Sequence, residues 1–504
     1  LAIETKEGPL DSPAHSLPKR SFLRRWLNRL EVDRAVFYAI ATRAWQFLAG
    51  PISILVIAAC FTPELQGYFY TFASLMGMQS LVELGLHGVI INVSSHEWSR
   101  LRLEPDGSIA GDEPSLQRLA GLKHFVARWY ALVALVFFVV CGIGGALFLD
   151  QSHPEENIRA KTAQVGEFHA ERVVANTSSE TLPRHVWMAP WFCLVALNGL
   201  LLWAWAYSAM LEGCNQLMVV HRVRLFQFMS GSFAVWASMA FGLGLWAAVI
   251  SVAVRLAWDY WLIAVRYRRF WQSLNQRTGD HAISWRREIW PLQWKMAAQG
   301  ITTFLALCVM TPVMFSFHGP VIAGQTGMTW TILTAIESAA YAWVQVRGPY
   351  FGMLAARRDW RQMDQVFFRL TAISWGFYLL AVCGLCAGVW CLNSLPWELP
   401  RRLSTRMLPL EPTAVFAIAF LLLHLPRCQT VYVRAHKQDP FLVAGMVSNG
   451  LIGLLTVILG RAYGPIGAAS GMLAVAGIIS IPWWMSIWNR CRREWHLEPD
   501  ANPS

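Results

Sequence analysis

The chain has 504 residues, of which 55% are hydrophobic and only 14% charged, whereas a soluble chain of this size carries about a quarter charged residues. Mean hydropathy is +0.38, which excludes a soluble globular enzyme and predicts a polytopic membrane protein. The net charge of +11 does not mark a nucleic-acid partner, because the basic residues gather in short loops between apolar runs. In lipid every backbone polar group must be bonded within its own segment, so the spans are predicted to be helices. The alternating short stretches of a β-barrel are absent, and the fold class is all-α.

Residues 1–20 are polar and contain proline, and they are expected to be a tail without a cleavable signal. From Ser21 to Arg34, the apolar residues Phe22, Leu23, Trp26, Leu27 and Leu30 recur at helical spacing with Arg24, Arg25 and Arg29 between them. That pattern predicts an amphipathic helix in the membrane interface, or else a basic cytoplasmic tail. Twelve spans follow, near 38–61, 68–92, 125–149, 187–211, 225–243, 246–266, 296–317, 321–346, 366–391, 411–430, 441–460 and 465–488. The expected organisation is a tail at 1–37, an N-terminal six-helix bundle at 38–269, a cytoplasmic linker at 270–295, a C-terminal six-helix bundle at 296–490 and a tail at 491–504.

Lys and Arg in alternate loops fall roughly four to one on the side that holds both termini, which places the termini in the cytoplasm of a multi-pass cytoplasmic-membrane protein. Arg427 and Arg434 are counted with that side. The outer loops are short, except 150–184, which carries Glu155, Glu156, Glu167, Glu171 and Glu180. Cys60, Cys141, Cys193 and Cys308 sit in apolar runs and read as small hydrophobes. Cys383 and Cys386 have C-x-x-C spacing inside an apolar helix with no second ligand pair, so no metal or cofactor is expected.

The two halves repeat one pattern. Leu211 to Arg269 and Val431 to Arg493 each run from a basic turn through a helix, a Gly turn and a second helix to a Trp-rich basic exit. The Gly turns are Gly242-Leu243-Gly244 and Tyr463-Gly464-Pro465. Thr62-Pro63 and Thr311-Pro312 mark the first pair of each half. Gly67 then precedes Glu83 as Gly324 precedes Glu337, at separations differing by less than about one helical turn. Such duplication is the usual trace of a transporter built from related halves. Gln66-Gly67-Tyr68, Glu83-Leu84-Gly85-Leu86, the run from Arg434 to Phe441 and Tyr463-Gly464-Pro465-Ile466-Gly467-Ala468-Ala469 carry a resemblance. The chain resembles the polysaccharide flippases of the multidrug/oligosaccharidyl-lipid/polysaccharide (MOP) superfamily. The resemblance implies two six-helix bundles around a central cavity, alternating access and no catalytic residue. It also implies a lipid-linked saccharide partner within membrane lipid, with polysaccharide assembly proteins as candidate partners. The long loop at 150–184 departs from the family pattern.

Charged residues inside spans are the functional candidates. They are Arg43 with Gln46 in the first span, Gln79 and Glu83 in the second, Arg255 and Asp259 in the sixth, and Glu337 in the eighth. On a cavity reading, Arg43 and Arg255 meet a diphosphate, because a planar guanidinium matches phosphate oxygens. Glu83, Glu337 and the amides Asn198, Gln299, Gln345 and Asn449 then meet sugar hydroxyls or couple to a proton. On the bland reading the charges are static glue between helices. Arg255 and Asp259, four residues apart, favour a structural pair, and His87 reads as a packing residue. Trp203, Trp205, Trp330 and Trp343 read as interfacial anchors or sugar-stacking surfaces. Gly384 with Gly388, and Gly467 with Gly471, have the spacing of close helix packing. Three other functions compete with the flippase. A multidrug antiporter of the same superfamily uses an acidic residue in its first span, where this chain has Arg43. A membrane glycosyltransferase or O-antigen ligase needs a larger outer domain than 150–184. A scaffold without transport is the fourth reading.

Overall fold

A computed structural model describes residues 34–83, 86–151, 182–275, 290–394, 403–436 and 440–496. Of the expected interfacial segment at 21–34 only Arg34 is among them, and residues 152–181 of the long outer loop lie outside them. Twelve crossings follow in order. The first is Arg34–Cys60, and the second is built from Pro63–Met76, Gln79–Glu83 and Leu86–Trp98. The third, fourth and fifth are Glu113–Gln151, Arg184–Gly213 and Leu217–Ala240; the sixth is Trp246–Tyr260 with a π-helical turn, Trp261–Arg266. The seventh begins as Trp290–Leu307. Helix Met310–Gln345 carries its end together with the eighth. The ninth is Trp360–Ser394 and the tenth Leu410–Arg434. The eleventh and twelfth share Leu442–Ala474, and the twelfth continues through the π turn Val475–Ser480 into Ile481–His496.

Among the described residues, eight stretches are long and apolar enough to cross a membrane. Two of them, Ala297–Ala355 and Leu442–Trp495, hold 59 and 54 residues, while one crossing needs about 20. Each breaks at a glycine before a proline. Gly319 has φ 85° and Gly464 has φ 67°, a region that residues with a Cβ avoid, and the proline then starts the next helix without needing a donor. Both breaks fall where the sequence divides the spans.

Within the first half, the first crossing packs on the fifth, the third on the fourth, and the sixth on the fourth and fifth. Trp45 Nε1 donates to Ser232 Oγ at 3.3 Å and Trp236 Nε1 to Ser53 Oγ at 2.9 Å, polar ties of the kind that hold helices together where lipid supplies no hydrophobic drive. In the second half, the seventh crossing packs on the eleventh, the eighth on the ninth and tenth, and the tenth on helix Leu442–Ala474 and the rest of the twelfth.

The halves meet where the second crossing lies against the eighth. A Cβ on Gly67 would stand 1.9 Å from Pro320 O, and one on Gly324 would stand 2.9 Å from Gly67 N. The two glycines singled out as equivalent by the repeat therefore touch each other. Residues 403–408 strap this seam. Gln66 Nε2 donates to Gly324 O at 2.9 Å and to Arg406 O at 3.0 Å, and the Arg406 guanidinium donates to Phe61 O. Gln325 Nε2 donates to Thr405 O at 2.9 Å, and Leu408 N to Thr329 Oγ1 at 3.0 Å.

Several features differ from expectation. A hairpin pairs Leu101–Leu103 with Ile109–Gly111, and the helix Arg268–Asn275 buries Phe270, Trp271 and Leu274. Arg269 Nη1 reaches Asp106 O in the hairpin at 3.1 Å. Ser108 donates its amide and hydroxyl to the exposed Asp106 carboxyl, holding it below the usual carboxylate range. The second crossing is interrupted after Met76, and the third begins at Glu113, about three turns earlier than expected. A Cβ on Gly467 or Gly471 would press on the eleventh crossing, at 2.2 Å from Leu459 O and 3.0 Å from Leu455 Cβ. Gly384 and Gly388 have nothing within 4 Å, so their spacing does not serve close packing here.

Candidate functional site

In the tenth crossing, Phe420, Leu423, His424, Arg427, Thr430 and Arg434 fall three and four residues apart and so form one helix face. That face lines a cavity of about 370 Å3 inside the second half. The eighth crossing contributes Glu337, the seventh Gln299 and Thr303, the eleventh Asn449 and the twelfth Trp484. Trp484 is largely buried, and its indole N–H finds no acceptor among the described residues.

Glu337 is the electrostatic centre. Its side chain is 5% exposed, while that of Arg427 is 50% exposed. Arg427 pairs with Glu337 Oε2 and lies 4.4 Å from the centre of the Tyr341 ring. His424 is fully buried, with Nδ1 3.2 Å from Glu337 Oε1. Its Nε2 stands 2.7 Å from Ser374 Oγ, and that hydroxyl lies 2.5 Å from Ala340 O. A buried carboxylate with a cationic partner and a second hydrogen bond is stable in a bundle core, whereas removing either partner leaves an uncompensated charge. Arg427 turns its exposed side to the cavity and therefore remains available to an anion.

The first half holds its polar residues in separate groups. Gln79 Nε2 donates to Asn198 Oδ1, and Tyr130 OH donates to Glu83 Oε1 at 3.2 Å. Gln227 Nε2 donates to Asp259 Oδ1 at 2.7 Å and to Arg255 O at 3.2 Å. The Arg255 guanidinium lies over Trp205 at 5.8 Å and Phe228 at 6.0 Å. Among the described residues Arg255 and Asp259 form no ion pair; an amide on the fifth crossing holds the carboxylate instead. Arg224 pairs with Glu212.

The seven sequence candidates thus occupy three regions. Glu337 lies in the second-half cavity. Gln79, Glu83, Arg255 and Asp259 lie in the first half, on the second and sixth crossings. Arg43 and Gln46 are exposed on the first crossing. Of the polar companions, Gln299 and Asn449 reach the cavity with Glu337. Sequence reasoning missed His424, Arg427 and Ser374. Arg427 was counted by its charge with the cytoplasmic side; it sits inside helix Leu410–Arg434 and faces the cavity. The available signal was His424 and Arg427 at helical spacing within an apolar run.

No protein-family model matches the chain, and no curated protein does. Solved structures resemble it in architecture. The lipid II flippase MurJ in an inward closed conformation superposes with a TM-score of 0.53 at 12% identity, over 92% of this chain and 90% of that one. An inward-facing multidrug resistance MATE family transporter of the MOP superfamily gives 0.48 at 13% identity, over 91% and 96%. A MOP superfamily transporter from Pyrococcus furiosus gives 0.48 at 12% identity, over 94% and 99%. The MurJ likeness extends over nearly the whole of both chains, and at that identity it establishes a shared fold.

Proposed function

We propose that this chain is a membrane transporter that flips a lipid-linked saccharide by alternating access. The observation that carries this reading is the charge of the second-half cavity. Arg427 and Arg434 line it, and Glu337 is the one carboxylate among its described lining residues. The Arg427 guanidinium, half exposed beside its carboxylate partner, favours an anion, and a diphosphate presents the oxygens a guanidinium binds best. Gln299, Asn449, Thr303 and Thr430 supply donors and acceptors for sugar hydroxyls, and Trp484 supplies an aromatic face. A cavity of about 370 Å3 is at the small end of ligand pockets and suits the diphosphate and the sugar next to it but not a long isoprenoid, which would stay in the surrounding lipid. The fold shared with a lipid II flippase supports this reading. The division into bundles at 38–269 and 296–490, with a linker at 270–295, belongs to it, because two rigid halves are what alternating access requires.

A multidrug antiporter is the second reading, and the same cavity argues against it, since its one described carboxylate already pairs with Arg427 and the half-exposed guanidinium repels a lipophilic cation. Vesicles containing the purified chain and a fluorescent isoprenyl-diphosphate-linked N-acetylglucosamine test the two. Head-group movement, measured by quenching from the outside, is expected with the wild type and is expected to fall sharply with Arg427→Ala. Accumulation of ethidium with no movement of the lipid-linked sugar would reverse the assignment.

A further inference from the structure

The hydrogen-bond chain around His424 carries one proton that its geometry cannot do without. Ser374 has a single hydroxyl hydrogen. Its Oγ lies 2.5 Å from Ala340 O, and a carbonyl cannot donate, so that hydrogen is spent there. Ser374 Oγ must then accept from His424 Nε2, at 2.7 Å, which puts a hydrogen on Nε2. The other ring nitrogen faces Glu337 Oε1 at 3.2 Å. With Nε2 protonated, a neutral ring offers only a lone pair at Nδ1, and an ionised carboxylate offers only lone pairs. The contact therefore needs one further proton, resident on the imidazole or on the carboxyl. Cys428 Sγ, 3.5 Å from Nε2, is too weak a partner to alter this count.

We propose that Glu337 and His424 form a proton-binding site whose occupancy locks the eighth, ninth and tenth crossings together. Ala340 and Glu337 belong to the eighth, Ser374 to the ninth and His424 to the tenth. With the proton present, a continuous chain runs from Ala340 O through Ser374 and His424 to Glu337. When the proton leaves for water in the cavity, the ring and the carboxylate meet lone pair to lone pair, and the tie through His424 between the eighth and tenth crossings opens, leaving the Arg427–Glu337 pair as their remaining link at this point. Arg427 holds the second oxygen of Glu337 throughout and keeps the carboxylate in place. The other titratable or charged groups facing the pair are Tyr341 on the eighth crossing, Tyr378 on the ninth, and Cys428 and Arg434 on the tenth. The proposal goes beyond the transport reading, since it holds for any solute.

The test uses the full chain in lipid nanodiscs without added solute. [15N]Histidine spectra are recorded from about pH 5 to about pH 9, on either side of the ordinary histidine range. The signal absent from His424→Asn belongs to His424. Should that variant not accumulate, Ser374→Ala identifies the same signal by shifting it. Hydrogen exchange of the amides at 333–345 and 420–431 is followed over the same range, corrected for intrinsic rate. The expected result is loss of the Nδ1 proton in one step, with a rise in exchange of both segments at the same pH. Glu337→Gln keeps a donor and an acceptor opposite Nδ1 at every pH, so its exchange step is expected to vanish. A His424 signal unchanged across the range, or a titration that exchange does not follow, would overturn the proposal.

Discussion

Replacing Gly67 with alanine tests the seam between the halves. The added carbon would stand 1.9 Å from Pro320 O, 2.5 Å from Pro320 C and 2.9 Å from Pro320 Cα. Ordinary contact begins near 3.4 Å, so the helices must part by about 1.5 Å at a point where both sides are backbone and no rotamer can yield. Overpacking of this kind costs about 1–3 kcal/mol, and the middle of that range shifts a two-state equilibrium by a factor of about 30. The cost falls only on the conformation in which the seam is closed. Gly67→Ala is therefore expected to raise hydrogen exchange in 320–327 and 403–408 by about that factor and to lower the melting temperature in detergent. Gly50→Ala is the control, because a Cβ there meets nothing within 4 Å, and it is expected to leave both measurements unchanged. If Gly67→Ala matched Gly50→Ala, the close approach would not govern the closed state, and the argument from the seam would fail.

Other predictions separate the cavity from the residues the structure leaves outside it. Arg427→Ala is expected to reduce transport in vesicles by at least about tenfold, with Arg43→Ala within about twofold of wild type at matched membrane levels; a larger loss at Arg43 would move the substrate path to the first crossing. Arg427→Gln combined with Glu337→Gln should recover the thermal stability lost in Arg427→Gln alone, since it removes the unpaired charge, while transport stays low. Arg406→Ala is expected to raise exchange in 61–67, where its guanidinium bonds Phe61 O, and unchanged exchange there would detach the strap from the seam. Membrane-impermeant thiol labelling should modify a cysteine placed at position 170 from outside and spare one at position 280, and the opposite pattern would invert the orientation.

The helices were legible because lipid leaves the backbone few choices, and an apolar run of the right length can do little else. The breaks at Gly319 and Gly464 were legible for a local reason: glycine before proline both permits the turn and starts the next helix. Glu337 was found because a carboxylate is costly inside a span. Its partners were harder to see. Arg427 stands near a span end, where a basic residue reads as a topology signal, and only the tertiary packing turns it toward Glu337. His424 and Ser374 carry no charge signal, and the bond between them joins residues fifty positions apart. The hairpin at 101–111 and the helix at 268–275 were hidden in short polar connections between spans, where tertiary contacts such as Arg269 to Asp106 select the structure. Glu83 and Glu337, matched by the repeat, differ in surroundings. Tyr130 meets one, while an arginine and a histidine meet the other, a divergence that spacing alone does not reveal.

The contact of Gly67 with Gly324 also has a mechanical meaning. Matched positions of two repeats touch only near the axis that relates them, so on the proposed transport reading the seam is the fulcrum. From Gly324 to Gln345 the eighth crossing is one unbroken helix of about 30 Å, and a tilt of about 10° about the seam sweeps its far end through about 5 Å. That travel approaches the width of a sugar ring. On the proposed alternating-access reading, a small rotation at this pair of side-chain-free residues opens the other face, and any side chain added there shortens the stroke.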